Sequence, residues 1–351
     1  MEVLEMLRKS RIRLAVLSTI ILSTLLLQTG YAKDPKTKVA KAPQNAAQPV
    51  DESTFDVLKL SSPTPTSVSV LHIAEKKGFF REARIKPEFV GIVESGKQVP
   101  YVLAGKLDVG GAHVNRTIAA KSNGAKVTAV VAQSETKKNF PHMTFAVLKD
   151  SPIKSAKDLV GKKYGTSAYG GCMEYTPYDY MRLKGGVADP KGQVEVVIIP
   201  PGQEVQALKQ KLVDVISLSA YPKYVYKTEP GLRHLFIDYD VWGEVGGATP
   251  LYFSDEFIKK NPDVVRRFVG AIAKTNNWIN SHLDEAKEIT SKDYKIPKEK
   301  INAMYYAKDG IIKDNSIQLW IEALNYYKEI KPGIKAADIY TNEFNPYYKK
   351  K

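Results

Sequence analysis

The sequence predicts an α/β protein of two lobes, with mostly parallel sheets, flanking helices and a helical C-terminal tail. Three observations predict it. Short apolar segments alternate with amphipathic ones from about residue 55, the alternation restarts after Leu148, and beyond Phe253 the pattern becomes almost wholly helical. Strands alternating with helices across short connections place helices on both faces of a parallel sheet. A chain of 351 residues has room for two domains of ordinary size.

The chain opens with an address. Arg8, Lys9, Arg11 and Arg13 form a positive segment, 14–27 is apolar but too short to span a bilayer comfortably, and Gly30-Tyr31-Ala32 offers small residues for cleavage after Ala32. Residues 1–32 are therefore read as a cleaved signal peptide, with an uncleaved anchor as the alternative. The stretch 33–54, rich in Pro, Ala, Lys and Gln, reads as a linker. No cysteine follows the apolar run to carry a lipid, so the expected location is a Gram-negative periplasm, without a lipobox anchor.

The first strand is expected at 57–60. After the Ser61-Ser62-Pro63-Thr64-Pro65 turn, a helix is expected with Thr66 as N-cap, Val70, Leu71 and Ala74 on one face and Gly78 as its stop. Strands at 85–90, 108–110 and 127–131 follow, separated by helices over 97–103 and 115–122. The second half repeats this grammar with strands at 144–148, 163–166, 194–199, 213–218 and 235–239. Its helices are a short one capped by Ser155, one entered near Met173 or Pro177, and one over 203–211. Pro262 starts a long amphipathic helix carrying Val264, Val265, Phe268, Ile272 and Trp278. The stretches VLAGKLDVGGAH at 102–113 and ALKQKLVDVISLSA at 207–220 both read as helix, turn, strand and small-residue loop, which argues for an internal duplication.

Composition excludes several classes. Apolar residues at 43% and charged residues at 26% are wrong for a polytopic membrane protein, a disordered chain or a collagen-like one. The net charge of +14 is spread along the chain without a dense block, so it reads as a basic surface and no nucleic-acid partner is expected. A single cysteine, Cys172, rules out an internal disulfide and multi-cysteine metal sites. Five scattered histidines supply no local metal motif, and no metal, cofactor or catalytic residue is assigned.

The order and spacing of EKKGFF at 75–80, LAGKLDVGG at 103–111, SPIKSAKDLVGKKYGTS at 151–167, LKQKLVDVISLS at 208–219 and FSDEFIKKNPDVVRRFVGAIAKTNNWIN at 253–280 carry a resemblance. The chain resembles the type II periplasmic substrate-binding proteins of ABC importers, in the branch that takes nitrate, sulfonates, taurine and thiamine-precursor pyrimidines. The resemblance covers about 55–289. It implies two lobes, 54–146 plus 243–351 and 147–242, closing like a hinge on a small-molecule ligand. Crossing segments are expected near 145–148 and 238–242. The implied partners are the transmembrane subunits of an ABC permease, and the implied state is a monomer.

In open α/β sheets ligands bind beyond the carboxyl ends of the strands, where helix N-termini present free N–H groups. The loops so placed nominate Thr64, Thr66, Ser95, His113, Asn115 and Ser134 in the first lobe. In the second they nominate Ser167, Tyr169, Gly170, Gly171, Cys172, Glu174, Ser219 and Tyr221. Gly170 and Gly171 would let backbone approach a ligand, or else simply let the helix pack closely at its entry. Cys172 has the helix-start position of an activated thiol, but no histidine or aspartate stands at a motif spacing from it, so it reads as a small buried residue. Glu174 would face an amino-bearing ligand or complement the helix dipole.

Hydroxyl-bearing loops suit an oxyanion, whereas Tyr169, Tyr175, Glu174 and Tyr221 suit a planar heterocycle. The sequence is read as a solute-binding receptor, not an enzyme, for a small organic anion: a sulfonate, taurine, a nitrate-like ion or a carboxylate. The alternative is a binding protein for a thiamine-precursor pyrimidine. A pyrimidine-synthase-like enzyme with lysine-bound pyridoxal phosphate is disfavoured by the missing cysteine-rich segment of that class and by the export address.

Overall fold

The computed structural model describes residues 51–218 and 222–349. The expected signal peptide, its cleavage site, 33–50 of the linker, Ser219 and Tyr221 lie outside the described residues. Among the described residues, no helix is long and apolar enough to cross a membrane.

In chain order the strands are β1 (Asp56–Leu60), β2 (Ile85–Phe89), β3 (Gly110–Gly111) and β4 (Val127–Glu135), then β5 (Thr144–Leu148), β6 (Lys163–Thr166), β7 (Glu195–Ile198), β8 (Val215–Leu218) and β9 (Leu232–Ile237), and finally β10 (Thr249–Ser254) and β11 (Tyr305–Tyr306). Strands β1 and β2 pair in parallel, and a second sheet has the order β11-β4-β10-β3. A parallel bridge from Leu60 to Val109 ties these two together. The third sheet has the order β7-β6-β8-β5-β9. The long Pro262–Ser281 helix packs its apolar face, including Val265, Phe268 and Ile272, on the first group of strands.

The sheets are mixed, which corrects the expectation of mostly parallel ones. Strand β5 runs antiparallel to β8 and β9, and β10 runs antiparallel to β3 and β4. Each of these two strands begins where the chain arrives from the other group of strands. It therefore enters its sheet from the end at which the helix-linked neighbours finish. The first passage between sheets occupies 136–143, ahead of the expected 145–148, because Phe145 is fully buried in β5 with its ring stacked on Phe236 at 4.2 Å. The second passage occupies 238–248.

The repeated hydrophobic-Asp-Val pattern has an atomic counterpart. The Asp108 carboxylate accepts a 2.7 Å bond from the Lys59 N–H while its own N–H donates to the Lys59 carbonyl. The Asp214 carboxylate accepts a 2.9 Å bond from the Lys163 N–H, and its N–H likewise donates to the Lys163 carbonyl. In both halves an aspartate thus fixes the start of one strand against its parallel neighbour, which supports the duplication.

Two local expectations change. The first helix is Val70–Lys76 with Ser69 as its N-cap, not Thr66. Thr66 lies in a turn closed by the Ser67 N–H on the Thr64 carbonyl, and reciprocal bonds tie this segment to Asn302, whose N–H donates to the Thr66 carbonyl and whose carbonyl accepts from the Val68 N–H, so Thr66 is not free to start a helix. The apolar run around 194–199 forms an edge strand with Ile198 exposed, because an apolar run alone does not distinguish an edge from a centre.

The helix Cys172–Gly185 contains Pro177, which has no N–H to give to the Met173 carbonyl one turn earlier. The phenol of Tyr164 donates to that carbonyl at 2.7 Å and mends the missing rung. Tyr164→Phe should therefore cost about 1–3 kcal/mol, the penalty of a buried carbonyl left unpaired. Urea denaturation of the variant checks this, and a cost below a few tenths of a kcal/mol would show the rung to be dispensable.

Candidate functional site

The helices Val114–Ser122 and Cys172–Gly185 each follow a strand whose carboxyl end points at the junction between the sheets, so both begin there. The amide of Asn115 donates to the Gly170 carbonyl at 3.2 Å, and the Arg116 guanidinium donates to the Tyr169 carbonyl at 2.8 Å. Gly170 has φ +70°, which favours glycine, and a β-carbon on Gly171 would lie 3.1 Å from the Arg116 guanidinium. The glycine pair therefore admits a cation of the protein itself, and the two helix starts are clasped across the junction.

The nominated residues separate into groups. His113, Asn115, Tyr169, Gly170, Gly171, Cys172 and Glu174 come together, with Ser95 nearby in a groove that Arg116 and Gly170 also line. Glu174 is buried and turns back on its own loop, accepting from the Gly170 N–H at 2.6 Å. Tyr169 is exposed and donates its phenol to the Val196 carbonyl at 3.1 Å on the edge strand. The Ser167 hydroxyl lies 3.5 Å from the Met173 sulfur. Ser134 is buried in β4 against the Thr249 hydroxyl, while Thr64 is exposed on its turn and, with Thr66, stands apart from this group.

Sequence reasoning missed the residues contributed by the two passages. Asp238, at the start of the second, accepts from the Thr136 hydroxyl and from the Met143 N–H, binding the passages to each other. Burial raises its carboxyl to about 6, against the opposing pull of those bonds. A β-carbon on Gly247 would meet the Thr136 hydroxyl at 2.3 Å and the His142 side chain at 2.9 Å, so the passages are also in close packing contact. His142 gave no periodic or motif signal. Its position immediately ahead of the 144–148 strand was the one available clue.

Burial lowers His142 to about 4, and burial, His142 and Arg116 together lower His113 to about 3. These effects outweigh the oxygens facing His113, Asn115 Oδ1 at 3.1 Å and the Gly246 carbonyl at 2.9 Å. Burial pushes the Cys172 thiol up to about 12, with the buried Asp238 adding to the rise, and Cys172 is a free, buried cysteine. It is in the protonated form at neutral pH and is not an activated nucleophile.

A separate crevice of about 320 Å³ opens between the two groups of strands. One wall is formed by Thr144, Ile237, His234 and Tyr226, the other by Ile301, Asn302 and Lys287, and Lys138 and Phe140 of the first passage lie between. Its volume falls at the small end of ligand cavities, and its lining combines apolar surface with cationic and amide groups and one carboxylate, that of Glu299. The bond from Asn302 to Thr66 places the first-lobe turn behind one wall.

The family model described as NMT1/THI5 like matches residues 66–286. A binding protein of Brucella abortus (strain 2308) is 24% identical over 270 residues, covering 73% of this chain and 79% of that protein. A 4-amino-5-hydroxymethyl-2-methylpyrimidine phosphate synthase of Saccharomyces cerevisiae is 28% identical over 233 residues, 62% of this chain and 64% of the synthase. Among solved structures, the periplasmic aliphatic sulphonate binding protein SsuA from Escherichia coli matches with a TM-score of 0.65 at 16% identity, over 78% of this chain and 87% of that one. That likeness establishes the periplasmic-binding-protein fold.

Proposed function

Because the chain belongs to the NMT1/THI5-like family, we propose that it is a non-catalytic solute-binding receptor of an ABC importer, acting in the periplasm and handing a small organic anion to the permease. The observation that carries this reading is the crevice between the two groups of strands. Lys138 and Lys287 outnumber the one carboxylate of the lining, Glu299, and supply positive charge for a sulfonate or carboxylate, and Phe140, Ile237 and Ile301 supply apolar surface for a carbon skeleton. The sulphonate-binding neighbour supports the same solute class.

A pyrimidine-like heterocycle is the second reading, favoured by the yeast relative and by the rings of Tyr226, His234 and Phe140 around the crevice. A thermal-shift screen of alkyl sulfonates, taurine, nitrate, aromatic acids and aminopyrimidines separates the two. At about a hundredfold excess over Kd, the right solute should raise Tm by on the order of 5 °C. A shift with aminopyrimidines and none with any anion would overturn the choice of anion. A Schiff-base absorbance on adding pyridoxal phosphate would instead revive the enzyme reading.

A further inference from the structure

We propose that His113, His142 and Cys172 form a binding site for a thiophilic transition-metal ion, of which Zn²⁺ is the type, at the junction of the two sheets. One ligand atom from each of these residues lies within 4.8 Å of the other two. Tetrahedral zinc places nitrogen and sulfur ligands about 3.4–3.6 Å apart, so the three atoms need to draw in by about 1 Å. Small side-chain rotations of two imidazoles and one thiol supply a movement of that size.

The donors carry lone pairs that the protein leaves unused. His142 Nδ1 is buried without a hydrogen-bond partner. His113 is a neutral ring with one N–H, yet both of its nitrogens face acceptor oxygens, those of Asn115 and Gly246. Whichever oxygen takes the N–H, the remaining lone pair has nothing to accept from there. A metal ion takes that lone pair once the oxygen now facing it has moved aside, most readily the Asn115 side chain, while the opposite N–H stays on its oxygen, the arrangement that orients metal-bound histidines. Cys172 completes the set as the first residue of its helix; burial and Asp238 keep its thiol protonated in the empty site, the N–H of Met173 and the nearby Arg116 opposing them only in part, so the ion has to displace the proton.

Two imidazoles and a thiolate are a ligand set for zinc or copper rather than for calcium or magnesium. Three protein ligands leave a fourth position open. Binding forms two metal–nitrogen bonds and one metal–sulfur bond, and breaks the S–H bond. The proton leaves to solvent, and no electron is transferred. The buried carboxylate of Asp238 sits close enough to influence the thiol, and it offsets the net positive charge of the loaded site. The ligands come from the first-lobe helix start, the first passage and the second-lobe helix start, so no local spacing in the sequence announces them. The proposal does not depend on the solute read for the crevice.

The test is titration of the untagged full chain with Co²⁺ alone, followed by Zn²⁺. The wild type should bind one Co²⁺ with an intense near-ultraviolet thiolate-to-cobalt charge-transfer band, release one proton, and lose the band on addition of Zn²⁺. Cys172→Ser should abolish the band, and His142→Gln should weaken binding at least tenfold. X-ray absorption of the zinc-loaded wild type needs no variant and should show one sulfur in the first shell. A wild type without the band, a zinc shell without sulfur, or a folded His142→Gln that binds as tightly as wild type would overturn the proposal.

Discussion

Asp179→Ala is expected to destabilise the protein by about 3–5 kcal/mol, the usual cost of removing one partner from a buried ion pair. The Asp179 side chain is 1% exposed. Its carboxylate accepts two bonds from Arg182 at 2.9 Å, one from the Trp242 indole at 2.9 Å and one from the Tyr327 phenol at 2.6 Å. Those donors belong to its own helix, the second passage and the end of the Asp314–Tyr326 helix, so one side chain holds three parts of the chain together. The alanine variant leaves a guanidinium, an indole N–H and a phenol without their acceptor. Urea denaturation measures the loss, and Asp179→Asn should recover part of it by keeping an oxygen in place. A cost under about 1 kcal/mol for the alanine variant would mean that water or rearrangement replaces the carboxylate.

Acid should weaken the fold well above the range in which ordinary carboxylates protonate. His113 and His142 take up protons near pH 6.5 in the unfolded chain but only at about 3 and about 4 in the folded one. Between those limits the unfolded state holds more protons, so stability falls as pH falls. His234, also lowered by burial, acts in the same direction. Asp238 opposes them: its folded value of about 6 lies above the unfolded one, so its contribution is fully present at low pH and is lost as pH rises through about 6. Two imidazoles outweigh one carboxylate, and the net loss between pH 6.5 and pH 4 should be on the order of 3–5 kcal/mol. Urea midpoints with a metal chelator present check this. Asp238→Asn should steepen the fall, while a wild-type profile that is flat or rises towards pH 4 would contradict the argument.

The alternation of elements was legible because the strands are short, apolar and punctuated by turn residues, and the long helix from Pro262 because its apolar face repeats at helical spacing. Strand direction was not legible, since it depends on which end of a sheet the chain enters after passing between the halves. The first helix was started too early because the backbone at Thr66 is engaged by Asn302, a partner remote in sequence. At the junction, the rule of strand ends and helix starts led to His113, Asn115 and the loop from Tyr169 to Glu174. It could not lead to His142, Thr136 or Asp238, which lie in passages without periodicity and acquire their surroundings only when the two halves meet.

The phenol that mends the proline gap also acts as a ruler. A helix with an unbroken hydrogen-bond ladder can slide slightly along its axis without losing a rung. In the Cys172–Gly185 helix such a slide would cost a bond, because one of its carbonyls is claimed by a side chain rooted in β6. The loop ahead of this helix is thereby held at a set height above the sheet before anything binds. Such preorganisation spares a binding event the entropy of ordering that segment, so more of the contact energy is expressed as affinity.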